Sequence, residues 1–185
     1  MECGVFRGGS AMMMGLSSLR FKNNDQRLKK IWLYDTFEGM ANPSKFDTNI
    51  INQKAIAQLK NQKKKENKKD IWAYSSLDYV KKNIQNIGYE NEKVIYIKGL
   101  VEQTLINNQP VKISLLRLDT DFYESTKSEL EHLYPKLEVG GIILIDDYGH
   151  WKGCKKAVDD YFKNKKNIFF QQIDYSGIIG VKTQS

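Results

Sequence analysis

The sequence predicts an α/β fold of Rossmann-like type: a mostly parallel sheet, flanked by helices, that ends in one antiparallel hairpin. Three observations carry this expectation. Short β-branched and aromatic runs alternate with segments of helical periodicity. Two of those runs each lead straight into two aspartates, Asp119 with Asp121 and Asp146 with Asp147. The last two runs are separated by Asp174-Tyr175-Ser176-Gly177, which is too short for a parallel crossover and requires an antiparallel pair. A length of 185 residues with 41% hydrophobic content suits one domain, 1–185.

Taken in order, Glu2-Cys3-Gly4-Val5-Phe6-Arg7-Gly8-Gly9-Ser10 places three glycines where a strand turns into the apolar helix Ala11–Leu19. Ile31–Tyr34 reads as the next strand. The Asn/Lys/Gln-rich stretch 49–70 reads as a mobile surface segment, a helix with a loose end. Leu77, Val80, Ile84 and Ile87 repeat at helical spacing, with Ser75 and Asp78 as a capping box and Gly88 as the stop. Val94–Ile97 and Ile113–Leu118 are strands. A second box, Thr126 with Glu129, opens a helix carrying Leu130, Leu133 and Leu137 before a turn at Gly140-Gly141. Ile142–Ile145, Ile168–Ile173 and Ile178–Val181 complete the sheet, a pattern that matches the class I methyltransferase variation on the Rossmann theme.

Composition narrows the function. The net charge of +7 comes mostly from lysine, with arginine only at Arg7, Arg20, Arg27 and Arg117, and no aromatic residue interleaves Lys60–Lys69. A solvated face, with no nucleic-acid partner, is the expectation. The longest apolar run, Ile142–Ile145, is too short to span a bilayer, and Glu2 and Arg7 do not fit a signal peptide, so neither membrane nor secretion is expected. Cys3 and Cys154 form no CxxC, which points to free thiols and a cytoplasmic setting.

The chemistry gathers at strand ends. Asp35 closes Ile31-Trp32-Leu33-Tyr34, where a Rossmann-like site places the carboxylate that holds a ribose; a turn aspartate capping the next segment is the alternative. Leu115–Leu118 runs into Asp119 and Asp121, and Ile142–Ile145 runs into Asp146 and Asp147. Clustered carboxylates repel one another unless a cation neutralises them, and oxygen donors of this kind suit Mg²⁺ or Ca²⁺. The competing reading is that aspartates end strands as turn and N-cap residues.

The string LLRLDTDFYEST at Leu115–Thr126 resembles the macrocin O-methyltransferase (TylF) family, whose usual form is LRLDGDLYEST. LYDTFEGM at Leu33–Met40 is similar to its DSFEGL, and YPKLEVGGIILIDDYG at Tyr134–Gly149 to its YPKLSPGGFVIIDDYG; the ECGVFRGGS opening is similar to its cofactor loop. The resemblance implies an S-adenosyl-L-methionine-dependent, Mg²⁺-dependent O-methyltransferase acting on a sugar hydroxyl of a glycoside or saccharide. It assigns the metal to Asp119, Asp146 and Asp147, and the cofactor to Glu2, Gly4, Arg7, Gly8, Gly9, Ser10 and Asp35. Thr120 stands for the family's Gly and Phe122 for its Leu, both expected near the metal, where they would reshape the acceptor pocket but remove no ligand. Family members carry helices and a whole first strand ahead of this block. The chain is therefore expected to be truncated, with an incomplete first strand and a homo-oligomer only at full length.

Displacement at a sulfonium methyl needs an acceptor oxygen stripped of its proton. Asp119 is expected both to ligate the metal and to take that proton, with His150 as second candidate base, while Asp121 is expected to point away. Cys154 and Met12-Met13-Met14 read as packing residues. A nucleotide-binding oxidoreductase would explain Asp35 but leave the distal carboxylates idle; an inactive truncated methyltransferase fragment is the other alternative.

Overall fold

A computed structural model describes residues 1–21, 29–60 and 73–184. Strands β1 (Glu2–Cys3), β2 (Ile31–Asp35), β3 (Val94–Lys98), β4 (Ile113–Leu118), β5 (Leu137–Ile145), β6 (Ile168–Gln172) and β7 (Ile178–Lys182) form one sheet in the order β3-β2-β1-β4-β5-β7-β6. The first five are mutually parallel; β7 runs antiparallel between β5 and β6. The helices are α1 (Gly9–Arg20), α2 (Ala55–Lys60), α3 (Leu77–Gln85), α4 (Val101–Thr104), α5 (Tyr123–Leu133) and α6 (Lys152–Phe162). The predicted parallel sheet with its closing hairpin is what forms.

Alternation along the central strands sends neighbouring side chains to opposite faces. Leu33 faces α1 and α3 in a cluster with Val5, Ala11, Val80 and Ile84, while Tyr34 joins Leu116, Leu130, Ile143 and Val158 on the other face. Met12 and Met14 pack against the first cluster, but Met13 is exposed, so the packing role covers only part of that run. Both cysteines are free and buried.

Four local expectations change. Ser76, one residue later than expected, caps α3, its hydroxyl accepting from the Tyr79 N–H at 3.3 Å. Thr126 and Glu129 lie inside α5, which starts at Tyr123, and Leu137 opens β5. Gly140 and Gly141 sit within β5, where the pairing with β4 slips between Ile113 and Leu115 and Gly140 takes a positive φ of 80°. Of the stretch 49–70, the described part holds the bridged turn Thr48–Lys54 and α2, and 61–70 lies outside the described residues.

Strand β1 pairs with β2 and β4 at Glu2 and Cys3 alone, and the Met1 ammonium donates to the Leu115 carbonyl at 3.0 Å. Below it, a cleft of about 670 Å³ lies between Ile31 and Trp32 on one side and Ile113 and Leu115 on the other. Among the described residues no helix is long and apolar enough to cross a membrane.

Candidate active site

Parallel pairing brings the carboxyl ends of β1, β2, β4 and β5 to one edge. Leu118 pairs with Ile145, and the Asp146 N–H donates to the Leu118 carbonyl at 3.0 Å, so Asp119 and Asp146 emerge side by side. The Asp119 N–H donates to the Cys3 carbonyl at 2.9 Å, tying the same loop to β1. Gly4 follows with φ 79°, and a Cβ there would lie 1.9 Å from the Asp119 carbonyl oxygen. Gly4 is thus demanded by the backbone of the acidic loop.

The cation that holds these acids together belongs to the chain. Arg117 is two residues before Asp119, so the two share a strand face. Its guanidinium donates to Glu2 Oε1 at 2.7 Å, to Asp119 Oδ2 at 2.7 Å and to Asp146 Oδ2 at 3.0 Å. Burial lowers the Arg117 pKa, but the charges of Asp119, Glu2 and Asp146 together outweigh it and raise the net value. Sequence reasoning passed over Arg117; the alternation of strand faces was the available signal.

Asp121 does not point away. Its Oδ1 accepts from the Trp151 indole N–H at 2.8 Å, and its carboxyl is bonded to that of Asp147. Burial, then the charge of Asp119, pushes Asp121 up to about 7. Burial also raises Asp119 and Asp147 well above the usual carboxylate range, and Asp147 Oδ2 is buried without a hydrogen-bond partner. Behind them Glu129, fully buried, accepts from the Thr120 hydroxyl at 2.9 Å and is likewise raised by burial. Thr120 therefore turns toward the interior.

A cavity of about 260 Å³ opens between the β2 and β4 ends, lined among others by Gly4, Phe6, Asp35, Gly99, Asp119 and Asp121. Of the residues expected to bind cofactor, Gly4 and Asp35 reach it. Glu2 is fully buried, its Oε1 accepting from the Ser10 hydroxyl and Arg117 while Oε2 has no partner, so Glu2 and Ser10 brace the loop from behind. Arg7 stacks over Phe6 and Tyr79, and Gly8 and Gly9 open α1 without lining the cavity. Asp35 is the turn aspartate weighed for it, and it also lines the cavity. Its Oδ2 accepts from the Val5 and Phe6 N–H groups at 2.7 and 3.1 Å and its Oδ1 from Phe37 at 2.7 Å, pinning the loop, while the carboxyl still faces the cavity. Burial raises its pKa against those bonds. His150 lies outside the cavity wall, packed edge-on to Trp151 and Tyr175.

The donors at this edge are oxygens suited to a hard divalent ion, and the partnerless Asp147 Oδ2 is a free ligand atom. As placed, however, no three His, Cys, Asp or Glu side chains among the described residues are arranged around a metal position. The Arg117 guanidinium fills the space between Asp119 and Asp146 instead.

Strand order, glycine turn and acidic edge define the class I methyltransferase type of Rossmann-like fold. The family model described as macrocin-O-methyltransferase (TylF) matches residues 1–180, and the chain belongs to that family. The chain is 32% identical over 161 residues to demethyldecarbamoylnovobiocin O-methyltransferase of Streptomyces niveus, covering 86% of this chain and 56% of that one. It is 28% identical over 162 residues to mycinamicin III 3''-O-methyltransferase of Micromonospora griseorubida, covering 87% and 59%. The chain thus spans little more than half the length of these relatives. The solved structure of the O-methyltransferase NovP superposes with a TM-score of 0.79 at 30% identity, covering 99% of this chain and 71% of that one. The calicheamicin methyltransferase CalS11, at 19% identity and a TM-score of 0.71 over 100% and 72%, shares the fold.

Proposed function

We propose that the chain carries the donor site of an S-adenosyl-L-methionine-dependent O-methyltransferase whose acceptor is a sugar hydroxyl of a glycosylated small molecule. The observation that carries this is the single cavity shared by Asp35, Gly4 and the Asp119–Asp121 loop, because it joins a ribose-type carboxylate to a proton-accepting edge. An oxidoreductase would need the first and leave the second without work. The named activities of the relatives point the same way.

In this reading Asp35 accepts from a ribose hydroxyl at Oδ1, where the Phe37 N–H leaves one acceptor site that only the Thr36 hydroxyl, 3.4 Å away, approaches. Gly4 and Phe6 line the same cavity. Asp119 is the proposed proton acceptor, and Asp121, raised to about 7, stands beside it as a second carboxylate matched to transfer near neutral pH. Arg117 fixes the direction of Asp119 through its 2.7 Å bond. Mg²⁺ would be held by Asp119, Asp146 and Asp147 only after these carboxylates turn from their present placement toward a common point, using oxygens the Arg117 pairs leave free; the ion would then supply a lowered pKa for a coordinated hydroxyl. Oligomerisation and a cytoplasmic location belong to the same proposal. The test is transfer of labelled methyl from S-adenosyl-L-methionine to a panel of glycosides, with Mg²⁺ and with EDTA. Label on a sugar oxygen supports the reading; no transfer to any hydroxyl by a chain that binds the donor overturns it.

A further inference from the structure

We infer that Asp47 is a positioning residue that clasps the segment after β2 over the cavity and so sets how long the cofactor stays bound; this rests on reading that cavity as the cofactor site. Asp47 is 1% exposed, a rare burial for a carboxylate that sits on no strand or helix. Its Oδ1 accepts from the Tyr123 N–H at 2.8 Å and its Oδ2 from the Ser44 N–H at 2.5 Å. Helix α5 begins at Tyr123, and its own N-cap, Phe122, supplies no side-chain acceptor. Asp47 therefore caps that helix from a distance, where a negative charge also complements the helix dipole.

The space for this clasp is built on the far side. A Cβ on Gly153 would lie 1.8 Å from Asp47 Oδ1 and 3.1 Å from the Tyr123 nitrogen, so α6 needs glycine where the carboxylate passes. The next residue extends the hold: the Thr48 carbonyl accepts from the Lys152 N–H at 2.9 Å, at the start of α6. Phe46 packs on Tyr123 with ring centroids 4.7 Å apart. One short turn thus ties the starts of α5 and α6, the two helices that directly follow the acidic strand ends.

The other end of the segment is pinned at Asp35, whose Oδ1 accepts from Phe37, while the Thr36 hydroxyl donates to the Gly39 carbonyl. Gly39, Met40 and Ala41, which line the cavity, are slung between these two fixed turns. Releasing Asp47 frees one anchor of that wall and leaves the glycine loop and Asp35 untouched.

The test is stopped-flow release and calorimetric binding of S-adenosylhomocysteine. Asp47→Ala is expected to raise the release rate about tenfold or more with little change in association, as interface changes usually do. Asp47→Asn keeps an acceptor for Tyr123 but sets an amide against the Ser44 N–H, and is expected to fall between Asp47→Ala and the unaltered chain. Tyr148→Phe removes a 2.7 Å bond to Asp159 outside the segment, and should lower stability without changing release. If Asp47→Asn, together with Asp47→Ala where it folds, releases the ligand within about twofold of the unaltered chain, the clasp is refuted. Failure of the unaltered chain to bind the ligand at all would instead refute the proposed function.

Discussion

Replacing Arg117 by Met should destabilise the chain chiefly through Glu2. The guanidinium is 19% exposed and its three partners are unequal: Glu2 is 0% exposed, Asp119 26% and Asp146 48%. The half-exposed Asp146 pair is worth at most about 1 kcal/mol. Stranding a buried carboxylate by removing its partner costs about 3–5 kcal/mol, and Glu2 keeps only the Ser10 hydroxyl. Partial relief by protonation favours the lower end, so a loss of about 3 kcal/mol is expected, or a fall in Tm of roughly 6–12 °C for a chain of this size. Urea unfolding of Arg117→Met at pH 7.5 and pH 5 measures it. The loss should shrink at the lower pH, because a Glu2 carboxyl already raised by burial then takes up a proton. A loss below about 1 kcal/mol at pH 7.5, or one independent of pH, would show that Arg117 does not neutralise this edge.

Gly4→Ala should fail to fold or lose about 4 kcal/mol, since its Cβ meets the Asp119 carbonyl at 1.9 Å with φ at 79°; a near-normal melt would mean the acidic loop can move aside. Stability of the ligand-free chain should fall between about pH 4 and pH 7 or above. Asp119, Asp121, Asp147 and Glu129 have folded pKa values above their unfolded ones, so the folded state holds protons that the unfolded chain has released. The Met1 ammonium, lowered by burial, acts in the opposite sense nearer pH 8. A Tm at pH 8 equal to or above that at pH 5.5 would contradict this. In calorimetry with MgCl₂, Asp146→Asn and Asp119→Asn should weaken binding more than Asp121→Asn; equal effects would place Asp121 among the ligands.

What the sequence discloses depends on how local the cause is. Six strands, β2 to β7, are legible because each contains a short apolar run bounded by turn residues, and the antiparallel pairing of the last two follows from connection length alone. Asp119 and Asp146 come together as expected because parallel pairing puts consecutive strand ends side by side. Arg117 was hidden because its partners lie 115, 2 and 29 positions away, and from within its strand it reads as one polar residue among leucines. The start of α5 was missed for the same reason: its cap is Asp47, 76 positions upstream, and the local pair Thr126 and Glu129 offered a plausible false start. Asp121 was expected, from strand-end geometry alone, to point away, but β4 ends at Leu118 and the loop that follows turns with Asp121 at a φ of 68°, which brings its carboxyl back to the acidic edge.

Whether the cavity at Asp35 holds an S-adenosyl donor is decided by calorimetric titration of the unaltered chain and of Asp35→Ala with S-adenosylhomocysteine and with NAD. S-adenosylhomocysteine should bind saturably at one site, raise the Tm with its concentration and be strongly weakened by Asp35→Ala, while NAD should not bind. Binding of NAD without S-adenosylhomocysteine, or S-adenosylhomocysteine binding that a folded Asp35→Ala chain retains in full, would contradict a donor site there.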